Sequence, residues 1–253
     1  MTRIPEVVRL ESVLYDTASL APGQSQSFFF HDRQGPEVDG SARDEHSLAE
    51  FLLTVDLARC LLARTLELNQ TFAFRQKVTL PFIPNLASRP GDIDALLYDD
   101  SQSDLTIALE CKRLRVRAGS EGEQRINGLS KLADAVAQVN SLQRLGFSET
   151  YLCLIAVVQD LSDRTYNFAF RACRELTFSR IVRTSLALPL AKGIGILYVE
   201  IAQPSPDPLE SSAMIAAGKL KDAATHKMTS RLVELVRDCF GVHQDRGSAG
   251  AND

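Results

Sequence analysis

The alternation of hydrophobic and polar residues along the chain predicts a mixture of helices and strands. Helical spacing of apolar residues indicates helices over about 44–68, 123–145, 174–185 and 209–240, the last of them continuous or interrupted. Alternating or continuously apolar segments indicate strands at about 7–15, 25–30, 72–83, 151–158, 166–170 and 194–201. Two further strands flank a polar turn at 99–104.

The order of these elements favours one α/β domain. Consecutive strands between 72 and 116 predict an antiparallel meander, and the helix that follows could cross over the sheet to the strand at 151–158. That strand is almost continuously apolar, as expected when both of its faces are covered. We therefore expect a mixed sheet flanked by helices in a single domain over 1–240, with an N-terminal hairpin and C-terminal helical additions. The small, polar residues 241–253 predict a disordered tail.

The composition narrows the classes of function. A net charge of -4 and a pI near 5.7 argue against a broadly basic nucleic-acid coat, although they leave room for a local basic patch. The five cysteines are odd in number, far apart and mostly within apolar segments, which predicts reduced core residues of a cytosolic protein. The N-terminus shows no secretory apolar region, and no apolar run approaches the roughly 18 residues of a membrane span. We expect a soluble, cytoplasmic protein that does not enter a membrane.

Three charged residues, Asp94, Glu110 and Lys112, fall within apolar strands. A buried ionised group must be paired, bind a metal or lose its charge. Side chains alternate along a strand, so Glu110 and Lys112 point to the same side. Asp94 lies 16 positions before Glu110 (110 minus 94), a separation that the turn at 99–104 makes compatible with neighbouring strands. The three groups are therefore expected to converge.

Two converging carboxylates form a hard oxygen site of the kind that Mg²⁺ or Mn²⁺ uses, completed by water and substrate phosphate. Lys112 could orient or help to deprotonate the attacking water and offset charge on the phosphate. This combination is typical of metal-assisted phosphodiester hydrolysis. The alternative is a buried salt bridge of Lys112 with Glu110 or Asp94, which is a poor source of stability because desolvation can exceed the Coulombic gain.

The spacing of these residues resembles the PD-(D/E)XK, or restriction endonuclease-like, nucleases. Asp94 matches the acidic residue of one strand in that superfamily, and the segment 110–112 matches the acid, any residue and lysine of the next strand. The resemblance implies an α-β-β-β-α-β core over about 44–158. It also implies Mg²⁺-dependent cleavage of nucleic acid, more often of DNA.

The same resemblance implies outer members of the site. Glu50 would match an acidic residue of the leading helix that joins the metal site, and the alternative is a helix N-terminal acid favoured by the helix dipole. Gln138 lies in the predicted crossover helix, where some branches of the superfamily carry a glutamine. Asp92 competes with Asp94 as the first ligand, and Asp94 is preferred because Asp92 lies nearer the turn at Gly91.

Basic residues near the predicted site indicate a contact surface for nucleic acid. Arg113 and Arg115 follow directly on the strand, and Lys131 borders the buried stripe of the crossover helix, so all three could reach phosphates. Solvated strand and helix surface is the alternative. Two hypotheses on function result: a Mg²⁺-dependent nuclease, or a non-catalytic relative that binds nucleic acid or a partner protein. The C-terminal helix either covers the core or mediates a homodimer.

Overall fold

A computed structural model of the chain describes residues 11–16, 45–78, 93–102, 104–119, 123–158, 173–202 and 212–242. Within these residues, eight strands form one sheet. The strands are β1 (Glu11–Asp16), β2 (Ala73–Val78), β3 (Ile93–Asp99), β4 (Leu105–Ala118), β5 (Gln124–Asn127), β6 (Glu149–Val158), β7 (Gly195–Ala202) and β8 (Ser212–Lys221). The helices are α1 (Glu45–Thr54), α2 (Asp56–Leu66), α3 (Leu132–Leu145), α4 (Glu175–Leu186) and α5 (Ser230–Phe240).

The sheet is open and mixed. Seven strands lie in the order β1-β8-β7-β6-β4-β3-β2, and β5 pairs with the second half of β4 off this path. Strands β4, β6 and β7 run parallel, whereas the other pairings are antiparallel. The predicted meander is β2-β3-β4, and α3 crosses over to the parallel strand β6. The prediction of a mixed α/β sheet flanked by helices is confirmed.

Helices cover both faces of the sheet. Helices α1 and α2 pack against one face, where β4 contributes Leu109 and Cys111. Helices α3, α4 and α5 pack against the other face, where β4 contributes Ala108, Leu114 and Val116. This division follows the alternation of side chains along β4. It places Glu110 and Lys112 on the face of α3, α4 and α5.

The central strand β6 is apolar on both faces, as its sequence predicts. Cys153 and Ile155 pack under α1 and α2, while Leu152 and Leu154 pack under α3 and α4. All five cysteines are free thiols, and three of them, Cys111, Cys153 and Cys173, are buried. No helix within the described residues is long and apolar enough to cross a membrane.

Two of the predicted helices have different bounds. The helix expected over 44–68 is divided at Val55, whose φ of -84° and ψ of 118° are extended, and α2 then begins at Asp56. The helix expected from 123 begins only at Leu132, because Gln124–Asn127 forms β5 against β4. The short strand pairs with a far longer one, and its four residues carry too little periodicity to predict it.

The prediction of a helix over 209–240 is wrong for its first part. Ser212–Lys221 is strand β8, held between β7 and β1, and helix α5 starts at Ser230 after the N-cap Thr229. The segment is rich in alanine, methionine, leucine and lysine, which favour helix in isolation. Pairing with two distant strands overrides that local preference. The C-terminal addition is therefore a strand followed by a helix.

Several predictions fall outside the described residues: the strands at 25–30 and 166–170, the tail after 242, and Asp92. The N-terminal hairpin is described only through β1, which pairs with β8.

Candidate functional site

Strands β3 and β4 bring Asp94 and Glu110 face to face. Their antiparallel ladder ends with Ala95 opposite Leu109, and one further step of the same register sets Asp94 opposite Glu110. Directly opposed residues of antiparallel strands project to the same side, with Cα atoms about 4.5–5.5 Å apart. Lys112 projects to that side as well. The predicted adjacency of the two strands is confirmed.

The Asp94 carboxylate is held by the backbone of β4. Its Oδ2 atom accepts a hydrogen bond from the backbone N–H of Cys111 at 2.7 Å. The ladder between β3 and β4 has ended at this point, so a side chain replaces the strand partner of that N–H group. The bond restrains the rotation of the carboxylate. Asp94 itself is half-buried.

Glu110 and Lys112 form an ion pair. Glu110 is 0% exposed, and the Lys112 Nζ atom lies 2.9 Å from its Oε1 atom, with 16% of the lysine side chain exposed. The contact predicted as the structural alternative to a metal site is therefore present. A lysine stem packed on apolar surface with its end toward water is a common arrangement. Lys112 thus pairs with the buried carboxylate and keeps part of its side chain exposed.

Among the described residues, a gap in strand pairing lies beside these groups. On one edge of β4, pairing with β3 stops at Leu109 and pairing with β5 starts at Arg115. Between them lies the β4 gap, defined as residues 110–114. Gly128 closes its far end with a φ of 101°, and a Cβ atom there would lie 2.8 Å from the carbonyl oxygen of Arg113. Only glycine fits this approach without strain.

Gln138 of helix α3 and Lys131, just before that helix, lie toward this side of the sheet. Lys131, Gln138 and Leu145 are spaced seven residues apart, so at 100° per residue they lie on nearly the same side of the helix. Leu145 packs with residues of β3 and α5. The opposite flank carries Asn140 and Gln143, whose side chains donate to carbonyl groups of residues 189 and 192. Gln138 is half-buried, and Lys131, in the 3-10 turn before α3, is exposed. These two predicted site residues therefore border the face of Asp94 and Glu110.

Glu50, Arg113 and Arg115 are placed differently. Glu50 is exposed on α1, a helix that covers the other face of the sheet. Arg113 and Arg115 share the parity of Cys111 on β4, so they also project from that other face. Across the described residues, no three or more His, Cys, Asp or Glu side chains form a group that could hold a metal ion. Asp94 and Glu110 are thus a pair without Glu50 beside them.

Sequence reasoning missed another buried carboxylate, Glu200 on β7. It is 0% exposed, and its Oε1 atom accepts from the backbone N–H of Cys173 at 2.9 Å. Its Oε2 atom accepts from the Tyr198 hydroxyl at 2.7 Å. Burial, followed by the negative charge of Glu200, raises the pKa of Tyr198 well above its usual value. Glu200 is the only acid in its apolar strand, and that signal alone could have found it.

The donor set at Asp94 and Glu110 fits one class of metal ion. Mg²⁺ keeps several of its waters and binds proteins through one or two carboxylates plus substrate phosphates. Two carboxylates on adjacent strands meet that requirement, whereas they are too few for an all-protein cage.

No protein-family model, curated protein or solved structure matches the chain.

Proposed function

We propose that the protein is a Mg²⁺-dependent nuclease that hydrolyses phosphodiester bonds, with DNA as the expected substrate. The observation that carries this proposal is the position of Asp94 opposite Glu110, with Lys112 on the same face beside the β4 gap. The succession of α1 and α2, the β2-β3-β4 meander, α3 and the parallel β6 supports a restriction endonuclease-like core. Mn²⁺ is the expected substitute metal.

Each residue of the site has a different role in the proposed reaction. Asp94 and Glu110 would hold the ion, which supplies Lewis-acid polarisation of the phosphate and a more acidic water. The N–H of Cys111 keeps the Asp94 carboxylate in one orientation. Lys112 holds a proton at Nζ, within reach of Glu110, and offsets negative charge that develops on the phosphate. Gln138 and Lys131 would contact substrate from the flank of α3.

Cleavage assays on purified full-length protein test the proposal. We expect cleavage of plasmid DNA with Mg²⁺ or Mn²⁺ and none with EDTA. A parallel reaction on RNA shows whether the protein prefers DNA or RNA as substrate. Asp94→Asn and Lys112→Met should each lower the rate about a hundredfold or more, since each removes charge that acts on the transition state.

Asp134→Asn is the matched control, because Asp134 is an exposed acid in the first turn of α3. Its rate should stay within about twofold of the wild type, as is usual for surface substitutions away from a site. Equal cleavage by the wild type, Asp94→Asn and Lys112→Met would rule out the assignment.

The ion pair between Lys112 and fully buried Glu110 favours a second candidate, a non-catalytic fold that binds nucleic acid or a partner protein. In that case the pair is structural and replaces the metal. In calorimetry, Mn²⁺ binding by the wild type would then be the same as Mn²⁺ binding by Asp94→Asn. Cleavage would also be absent in every metal tested.

A further inference from the structure

Lys77 has a backbone conformation that its strand does not explain. Its φ is 48°, in the left-handed region that residues other than glycine seldom adopt. The neighbouring pairs, Gln76 with Ala95 and Val78 with Ile93, keep the same register on both sides. No residue is therefore inserted at this point, and the conformation is not that of a β-bulge.

The same register places Lys77 beside the first carboxylate of the proposed site. It lies opposite Asp94, between two flanking pairs, on β2 at the edge of the sheet. Its side chain is exposed, and no salt bridge within the described part of the chain engages it. The backbone of an exposed lysine in a strained conformation thus lies opposite a half-buried aspartate.

We propose that Lys77 binds the phosphodiester backbone of a nucleic acid beside Asp94. The inference rests on the proposed function, because that function puts a phosphate within reach of Asp94. Strained conformations concentrate at functional sites, where the position of a side chain matters more than the local conformational energy. A lysine ammonium is a compact charge suited to a phosphate oxygen. Lys77 binds the substrate and takes no part in moving a proton.

Binding of a short fluorescein-labelled DNA duplex in EDTA, measured over a series of salt concentrations, tests this role. Loss of one phosphate contact makes the slope of log K against log salt shallower by about 0.9, which at about 0.1 M salt weakens binding roughly eightfold. We expect this change for Lys77→Met and recovery in Lys77→Arg. Lys192→Met is the matched control, since Lys192 is an exposed lysine just before β7, a strand that three others separate from β2.

Lys77→Gly separates charge from strain. Glycine adopts the left-handed conformation without cost, so this variant should melt above Lys77→Met while binding DNA equally weakly. Unchanged affinity and salt slope in Lys77→Met, or no DNA binding by the wild type, would overturn the inference. EDTA makes the readout independent of cleavage. If Asp94→Asn cleaves like the wild type while Lys77→Met binds weakly, the proposed reaction fails and the Lys77 contact stands.

Discussion

Glu110 and Glu200 are two carboxylates with the same burial and different surroundings. Both are 0% exposed and lie on parallel strands, on the face covered by α3, α4 and α5. Glu200 accepts from a backbone N–H of Cys173 and from the hydroxyl of Tyr198, two donors fixed in the core. Glu110 is paired with Lys112, whose side chain reaches solvent. Burial by itself therefore does not distinguish a structural carboxylate from a candidate ligand.

The partners of each carboxylate indicate its role. The bond from Cys173 to Glu200 ties the residues that lead into α4 to β7, so Glu200 acts as a brace between a helix start and the sheet. Glu110 lies at the β4 gap, opposite half-buried Asp94, and its partner Lys112 keeps 16% of its side chain exposed. We therefore expect Glu110, paired with a partly exposed lysine at an interrupted strand edge, to matter for the proposed reaction, and Glu200, bonded to donors in the core, to matter for the fold.

The largest expected effect comes from exchanging each carboxylate for its amide. Under the proposed function, Glu110→Gln should lower Mg²⁺-dependent cleavage about a hundredfold or more, because it removes a ligand charge. Glu200→Gln should change the rate per folded molecule by less than about threefold, since small effects are usual away from a site. Steady-state cleavage of plasmid DNA at matched concentrations of folded protein measures both.

Urea unfolding of the same two variants should give the reverse order. An amide at 200 leaves the Cys173 N–H or the Tyr198 hydroxyl without an acceptor, which costs about 2 kcal/mol. Glu110→Gln should cost about 1 kcal/mol or less, since Lys112 can turn its charge to water. If Glu110→Gln is the more destabilising variant and leaves cleavage unchanged, both carboxylates have a structural role and Glu110 is not a metal ligand.

Tyr198→Phe probes the brace with a smaller effect. It removes the hydroxyl donor of Glu200 and should lower the free energy of unfolding by about 1 kcal/mol at neutral pH. Burial first, and then the charge of Glu200, raise the pKa of Tyr198 in the folded protein. The unfolded tyrosine ionises near pH 10, so this stability is complete below about pH 10 and is lost as pH rises toward the folded pKa.

Urea unfolding at several pH values between 8 and about 11 checks this sign. The wild type should lose stability faster than Tyr198→Phe above about pH 10, and the gap between the two proteins should narrow. Both proteins should still lose some stability at alkaline pH, because burial also raises the pKa of Tyr151. A gap that stays constant with pH would contradict the assigned role of Tyr198.

The parts of the fold that the sequence predicts are those with a local signal. The meander follows from alternation within each strand, and β6 follows from its unbroken apolar run. Strands β5 and β8 have no such signal, because one is four residues long and the other has helix-forming composition. Their structure depends on partners that are distant along the chain. A pattern within a segment cannot contain that information.

The site shows the same limit. Asp94, Glu110 and Lys112 converge because of strand alternation and one short turn, both of which are readable from the sequence. The location of Glu50 depends on which face of the sheet α1 covers, and tertiary packing alone decides that. Glu200 lacks a lysine two positions away, so no motif marks it, and only its charge in an apolar strand indicates a buried partner.

Glu50→Gln carries the smallest expected effect and tests whether the site is a pair of carboxylates. Glu50 is exposed on the helix that covers the opposite face from Glu110, so cleavage should stay within about twofold of the wild type. The apparent Mg²⁺ requirement, measured as the metal concentration for half-maximal rate, should also be unchanged. A rate loss similar to that of Glu110→Gln would mean that α1 reaches the metal when substrate is bound. In that case the faces of the sheet would not separate the two acids, and the site would have three carboxylates.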